Sequence, residues 1–202
     1  MKKFMALLLV AGMTLSLTAC GGSTDTAKTD QADGRDTFTV GFDQDFPPFG
    51  YVGDDGEFTG FDIEMATECA ARMGKKIVLQ PIDWDAKDME LEAGTIDCIW
   101  NGFTMNGRED QYTWTDPYMD NSQVVVVKKD SGINTLADLA GKVVEVQKES
   151  AAETALNDEE HADRMASFAQ LLSVGEYNTA FMDLESGAVD AVAIDIGVAQ
   201  FQ

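Results

Sequence analysis

Ile96-Asp97-Cys98-Ile99-Trp100-Asn101-Gly102-Phe103-Thr104-Met105-Asn106-Gly107-Arg108 carries a short apolar strand into a glycine-bounded corner that ends on arginine. Gly102 lets backbone approach a ligand closely, the Thr104 hydroxyl donates or accepts, and Arg108 offers a planar fork matched to a carboxylate. An arginine after a turn is most often a solvated surface residue, so this corner takes its meaning from the chain around it. Toward the N-terminus the apolar period alternates between two and 3.6. Thr37 to Phe42 alternates as a strand. A helical stripe of Phe61, Ile63, Met65, Ala66, Cys69, Ala70 and Met73 follows, closed by Gly74. Lys76 to Ile82 reads as a second strand, Asp88 to Ala93 as a short helix closed by Gly94, and Ile96 to Trp100 as the third strand. This order predicts an α/β protein with a parallel sheet, which binds ligands beyond the carboxyl ends of its strands. Asp43 and the Gly102–Arg108 corner both lie just past such ends.

Toward the C-terminus, Ser122 to Lys128 contains four consecutive valines and reads as a connecting strand. The alternation then restarts. A helix is predicted near Leu136 to Leu139, a strand over Lys142 to Val146, and a helix from about Ser150. A strand follows around Ser167 to Leu171, then a helix over Thr179 to Ser186 and a strand over Asp190 to Asp195. Two similar lobes in series are predicted, 38–124 and, after a hinge strand, 125–202. Gln202 falls a few residues into the helix that should follow the last strand, so the second lobe is expected to be incomplete and ligand binding weak.

The N-terminus predicts export. Met1-Lys2-Lys3 is a positive n-region, Ala6 to Leu17 an apolar stretch, and Leu17-Thr18-Ala19-Cys20 a small-residue cleavage site. The apolar stretch is broken by Gly12, Thr14 and Ser16 and is too short for a permanent membrane span. Its ending resembles a bacterial lipobox, which implies a signal peptide over 1–19 and lipidation of the Cys20 thiol by palmitate-like chains. An ordinary secretory peptide with an incidental cysteine is the alternative. Residues 20–37 are polar and without apolar period, as in a flexible tether.

Composition narrows the function classes. Of 202 residues 45% are hydrophobic, enough for a real core after leader and tether are removed. The formal charge of −22, which becomes −24 once Lys2 and Lys3 leave with the leader, excludes nucleic acid as a partner because phosphates demand a basic face. Attachment to a membrane would then rest on the acyl chains. Cys69 and Cys98 each sit in an apolar segment. They read equally as an extracytoplasmic disulfide or as two buried thiols, and neither has metal-ligand spacing. The single histidine, His161, lies in a polar run and reads as a surface residue.

The chain resembles the polar amino acid solute-binding lipoproteins of ABC importers, extracellular solute-binding protein family 3. The resemblance runs from Val40 to the last residues on several motifs in the family's order. Val40-Gly-Phe-Asp43-Gln-Asp-Phe46-Pro-Pro-Phe49 opens the first lobe, Gly60-Phe-Asp-Ile-Glu-Met-Ala66 starts its first helix, and Ile82-Asp-Trp84-Asp precedes the second. Asp97-Cys-Ile-Trp-Asn-Gly-Phe-Thr104 leads to Arg108, and Thr115-Asp-Pro-Tyr118 follows. Leu136-Ala-Asp-Leu-Ala-Gly-Lys-Val-Val-Glu-Val146 and Ser186-Gly-Ala-Val-Asp-Ala-Val-Ala-Ile-Asp195 belong to the second lobe. Any one of these is common; the succession is specific.

The resemblance implies a bilobed, type II periplasmic-binding-protein-like fold whose lobes close by hinge motion around a free amino acid. In this chain the second lobe and the return to the first would be incomplete. It implies an ABC permease as partner, no cofactor and no metal, and a place outside the cytoplasm on the outer face of the cell membrane. Position by position, Arg108 matches the grip on the ligand's α-carboxylate and Asp195 the hold on its α-ammonium. Gly102 and Thr104 match first-lobe contacts to that ammonium, Phe46 and Trp84 the aromatic walls, and Asp43 a polar contact to the ligand side chain. Gln147, Ser150 and Ala151 fall where a helix start faces the carboxylate. Each residue also has a plainer reading: Phe46 and Trp84 as core aromatics, Asp195 as a helix cap, Asp43 as a turn cap.

Two departures stand out. Thr104 to Arg108 is four residues where the family usually has five, with Gly107 placed to absorb the change. Lys148 and Glu149, expected to face solvent, replace small residues after a strand, and Ala151 stands where glycine is frequent. With Arg108 as the pocket's one cation, committed to the carboxylate, and Asp43 facing the side chain, a cationic or amide side chain is favoured over an acidic one. Arginine, lysine, histidine, glutamine and cystine remain open. Other readings are the sensory domain of a receptor and a cyclohexadienyl-dehydratase-like enzyme on the same fold, though no acid–base pair for catalysis is evident in the cleft.

Overall fold

The computed structural model describes residues 35–202. The export signal, Cys20 and the tether up to residue 34 lie outside the described residues. Strand β1 (Thr37–Phe42) begins inside the span read as tether, and it forms the centre of the first sheet. Its Val40 and Phe42 are fully buried. A three-strand antiparallel meander follows, β2 (Asp45–Phe46), β3 (Gly50–Val52) and β4 (Phe58–Thr59), which the sequence reading missed. Two- and three-residue strands carry no usable period.

Helix α1 (Phe61–Arg72) starts at Gly60, whose φ of 126° only glycine adopts with ease. A β-carbon there would meet the Phe49 carbonyl oxygen at 2.4 Å. The first free N–H groups of α1, those of Phe61 and Asp62, donate to the Pro48 and Phe49 carbonyls, so the meander caps the helix. Next come β5 (Lys76–Pro81), a 3₁₀ turn over Trp84–Ala86, α2 (Lys87–Ala93), closed by left-handed Gly94, and β6 (Cys98–Ile99). The sheet order is β5-β1-β6, all parallel, as predicted. The third strand is shorter than the expected Ile96 to Trp100. The Asp97 carboxylate accepts the Thr39 N–H (2.8 Å), replacing one rung of the ladder with a side chain.

The second sheet runs β7-β10-β8-β9: β7 (Gln123–Val127), β8 (Val143–Gln147), β9 (Gln170–Val174) and β10 (Ala191–Asp195). The valine-rich β7 lies antiparallel to β10, and the other pairs are parallel. Helices α3 (Ala151–Leu156), α4 (Ala162–Ser167), α5 (Tyr177–Ser186) and α6 (Ile196–Phe201) connect or follow these strands. Two expectations shift. Leu136–Leu139 is a 3₁₀ turn held by a Thr135/Asp138 capping box, not an α-helix. The strand expected at Ser167 to Leu171 lies three residues later, because Ala162–Ser167 is helical up to the Ser167 hydroxyl that donates to the Arg164 carbonyl.

Alternation along β10 divides the core. Ala191 and Ala193 face one layer, with Leu139, Val144, Val146 and Ala152; Val192 and Ile194 face the other, with Tyr177, Ala180, Leu184 and Val198. Phe46 and Phe49, from the meander, join the second layer, so aromatic side chains of the N-terminal half pack directly on the second sheet. Cys69 and Cys98 are free thiols, each half-buried rather than buried. Burial pushes the Cys98 thiol up to about 12. His161 is half-buried rather than on the surface, its ring 3.2 Å from a Glu160 carboxylate oxygen.

Candidate functional site

The carboxyl ends of the parallel strands of the two sheets meet. Asp43 follows β1 and Gln147 ends β8, and the Gln147 amide donates to Asp43 Oδ2 at 2.6 Å and to the Gly175 carbonyl at 2.9 Å. Asp43 Oδ1 accepts the Asp45 N–H, and the Asp43 N–H donates to Asn101, just past β6. Burial raises the Asp43 carboxyl to about 6, against the lowering effect of these hydrogen bonds.

Beside this junction is a small cleft of about 20 Å³, room for one water. Phe46, Trp84, Gly102, Thr104 and Arg108 line one wall; Gln147, Ser150, Ala151 and Asp195 line the other. Nine of the ten residues singled out in the sequence therefore converge on one space. Asp43, the tenth, lies behind Gln147 and lines an adjoining cavity of about 490 Å³ instead. That outer cavity is edged by Asp45, Asp83, Asp85, Glu90 and Glu176.

The corner itself is resolved in detail. Gly102 is left-handed (φ 56°), and Gly107, also left-handed (φ 79°), closes a tight turn in which the Arg108 N–H donates to the Met105 carbonyl (2.9 Å). The shorter spacing thus still delivers Arg108 to the cavity. Its guanidinium, 5.3 Å from the Phe103 ring centroid, donates to the Thr104 and Glu149 carbonyls (3.3 and 3.0 Å) and to the Thr154 hydroxyl (3.2 Å). The Trp114 indole N–H donates to the Arg108 carbonyl, and Phe103 packs against Trp84, Tyr112 and Trp114.

Asp195, at the end of β10, opposes Arg108. Its Oδ1 accepts from the Asn121 and Gln123 side-chain amides, the latter at 2.8 Å, and Asn121 also donates to the Thr104 hydroxyl (3.2 Å). Burial raises the Asp195 carboxyl, while these two amides and the Arg108 charge pull it down. Ser150 caps α3, its hydroxyl accepting the Glu153 N–H.

Several site residues escaped the sequence reading. Asn101 and Phe103 line the cavity, and both stand inside the corner that was quoted for other residues. Asn121 and Gln123 hold Asp195 from more than seventy positions away, with no local pattern to betray them. Arg108 is also not the only buried cation: Lys87 is buried as well, 5.4 Å from the Trp84 ring centroid. Lys148 and Glu149 do expose their side chains, yet the Glu149 carbonyl is an Arg108 partner.

The profile of the bacterial extracellular solute-binding proteins, family 3, matches residues 38–177. The L-cystine-binding protein TcyJ of Escherichia coli K12 is 32% identical over 194 residues, 95% of this chain and 69% of the relative. The arginine-binding extracellular protein ArtP of Bacillus subtilis 168 is 36% identical over 148 residues, 73% of this chain but only 56% of the relative. Among solved structures, an ancestral arginine-binding protein bound to arginine superposes with a TM-score of 0.74 at 37% identity, covering 82% of this chain and 73% of that one. The ancestral amino acid-binding protein AncCDT-1, a precursor of cyclohexadienyl dehydratase, superposes with a TM-score of 0.75 at 30% identity, with the same two shares covered.

Proposed function

The chain belongs to family 3 of the bacterial extracellular solute-binding proteins, and from that membership we propose that it captures a free polar L-amino acid between its two lobes for an ABC permease. The observation that carries the reading is the pair Arg108 and Asp195, opposite charges on opposite walls of one cavity. A zwitterion needs both. The cavity holds about 20 Å³, far less than an amino acid, so the walls must part to admit one, which is what a hinged clamp does. The relatives and the ancestral structure, named for cystine and arginine, support an amino acid as the solute.

A cationic or amide side chain suits the site best. Asp43 and the acidic edge of the outer cavity attract a guanidinium or ammonium, and Trp84 lines the same space. Calorimetry with the twenty amino acids and cystine tests this: binding of an arginine-, lysine-, histidine-, glutamine- or cystine-like ligand supports the reading, and no heat from any of them overturns it. The AncCDT-1 likeness keeps an enzyme in view as a second reading; conversion of a bound ligand, followed by chromatography, would favour it.

The place of action is outside the cytoplasm, in keeping with the family. Among the described residues no helix is long and apolar enough to cross a membrane. We assign the anchor to Cys20, lipidated after removal of residues 1–19. Labelled palmitate should enter the parent protein and not the Cys20→Ser variant; equal labelling of both would refute the assignment.

A further inference from the structure

Lys87 opens α2 immediately after the 3₁₀ turn that carries Trp84, and its side chain is only 2% exposed. Its ammonium lies 5.4 Å from the Trp84 ring centroid and 3.6 Å from Glu149 Oε2 on the opposite wall. Glu149 is itself unusual. Among the described residues it is the non-glycine residue with positive φ, 57°, a conformation that costs a glutamate energy and persists only when its surroundings hold it. Three contacts do so: the Lys87 ammonium on its carboxylate, the Glu153 carboxylate accepting its N–H (2.7 Å), and the Arg108 guanidinium donating to its carbonyl (3.0 Å). Beside this pair the charges are crossed, Lys148 meeting Asp85 at 3.9 Å, though both are exposed and contribute little.

We propose that Lys87 is a positioning residue of the clamp. It does not line the inner cavity; it pairs with Glu149 when the walls meet, and through that one residue couples the Trp84 wall to the Arg108 grip. Opening takes the carboxylate away from an ammonium that α2 and Trp84 keep largely out of water, so the pair opposes opening and slows ligand release. The inference rests on the solute-capture reading for its effect on ligand, but the contact itself can be probed without one.

A double-mutant cycle of Lys87→Met and Glu149→Gln tests it, since methionine keeps a long apolar stem over Trp84 and glutamine keeps the shape of Glu149. Using the amino acid that the parent binds, each single variant should release it about tenfold faster with a similar association rate, and the double variant no faster than either single. In the ligand-free protein, small-angle scattering should show a larger radius of gyration in each single variant and no further increase in the double. Thermal unfolding confirms that each variant folds. Unchanged release in Lys87→Met, or single effects that multiply in the double variant, overturns the proposal. Should the parent bind no amino acid, the capture reading falls while the scattering cycle still decides the pairing, coupled radii supporting it and independent ones overturning it.

Discussion

Arg108 carries the most specific expectation at the scale of one residue. It is 8% exposed and already desolvated by Phe103 and the Glu149 and Thr154 contacts, so a ligand carboxylate would exchange for protein acceptors rather than for bulk water. Arg108→Ala should weaken amino acid binding by about 2 to 5 kcal/mol, much of it the penalty of a carboxylate left buried without a partner. Calorimetry that finds near-parental affinity would remove Arg108 from the site. Asp43 makes a pH prediction. Its carboxyl titrates at about 6 in the folded chain against 3.8 for the free group, so between those values the folded state binds more protons than the unfolded one. Stability from this group is therefore full below pH 4 and declines as the pH rises through 6. Asp62 shifts in the same direction, so the reading must be differential. Denaturant unfolding at pH 4, 5, 6 and 7 should give a shallower decline for Asp43→Asn than for the parent, and parallel profiles would count against the assignment. If the solute is cationic, its affinity should fall more steeply below pH 6 in the parent than in the variant, where the raised Asp195 carboxyl still contributes.

Among the elements, α1 depends most on one atom that is absent. Gly60 lies where the meander turns into the helix, and a methyl group there would press on backbone, not on a side chain able to swing away. Gly60→Ala should destabilise the chain by about 1 to 3 kcal/mol, by steric pressure and an unfavourable φ together; an unchanged denaturation midpoint would contradict it. Elements of this kind mark the limit of what the sequence makes legible. Strands β1, β5, β7, β8 and β10 and helices α1, α2 and α5 announce themselves because each runs long enough to repeat its period or ends on a glycine. The meander does not, being built of two- and three-residue strands. Helix α4 was not foreseen, and β9 was expected three residues too early, because the apolar Met165, Ala166, Phe168, Leu171 and Leu172 straddle the end of one and the start of the other and fit either period when read alone. The site divides likewise. Gly102, Thr104 and Arg108 are legible as one contiguous corner, whereas Lys87 looks like any first-turn lysine until the opposite wall is brought against it.

Over residues 35–202, the parallel strands of the first sheet and those of the second meet at their carboxyl ends, with Gln147 spanning the seam. Its amide is the direct link between Asp43 of the first sheet and Gly175 behind the second. Gln147→Ala removes both bonds and leaves the Asp43 carboxyl without one of its donors, so the ligand-free protein should populate a wider form, seen as an increased radius of gyration; an unaltered scattering curve would place the seam's strength elsewhere. The segment joining the two halves has a role of its own. Asn121 and Gln123 stand at the entry to β7, and both give their amides to Asp195. On the proposed reading, an arriving ammonium would compete for an oxygen that the connecting segment already occupies. Water has been stripped from that carboxylate during folding, before any solute arrives, so recognition begins as a substitution of one donor for another. On the proposed reading, whatever Asn121 loses in the exchange it loses beside β7, in a stretch of chain that joins the two sheets, so occupancy of the site would be felt where the proposed hinge lies.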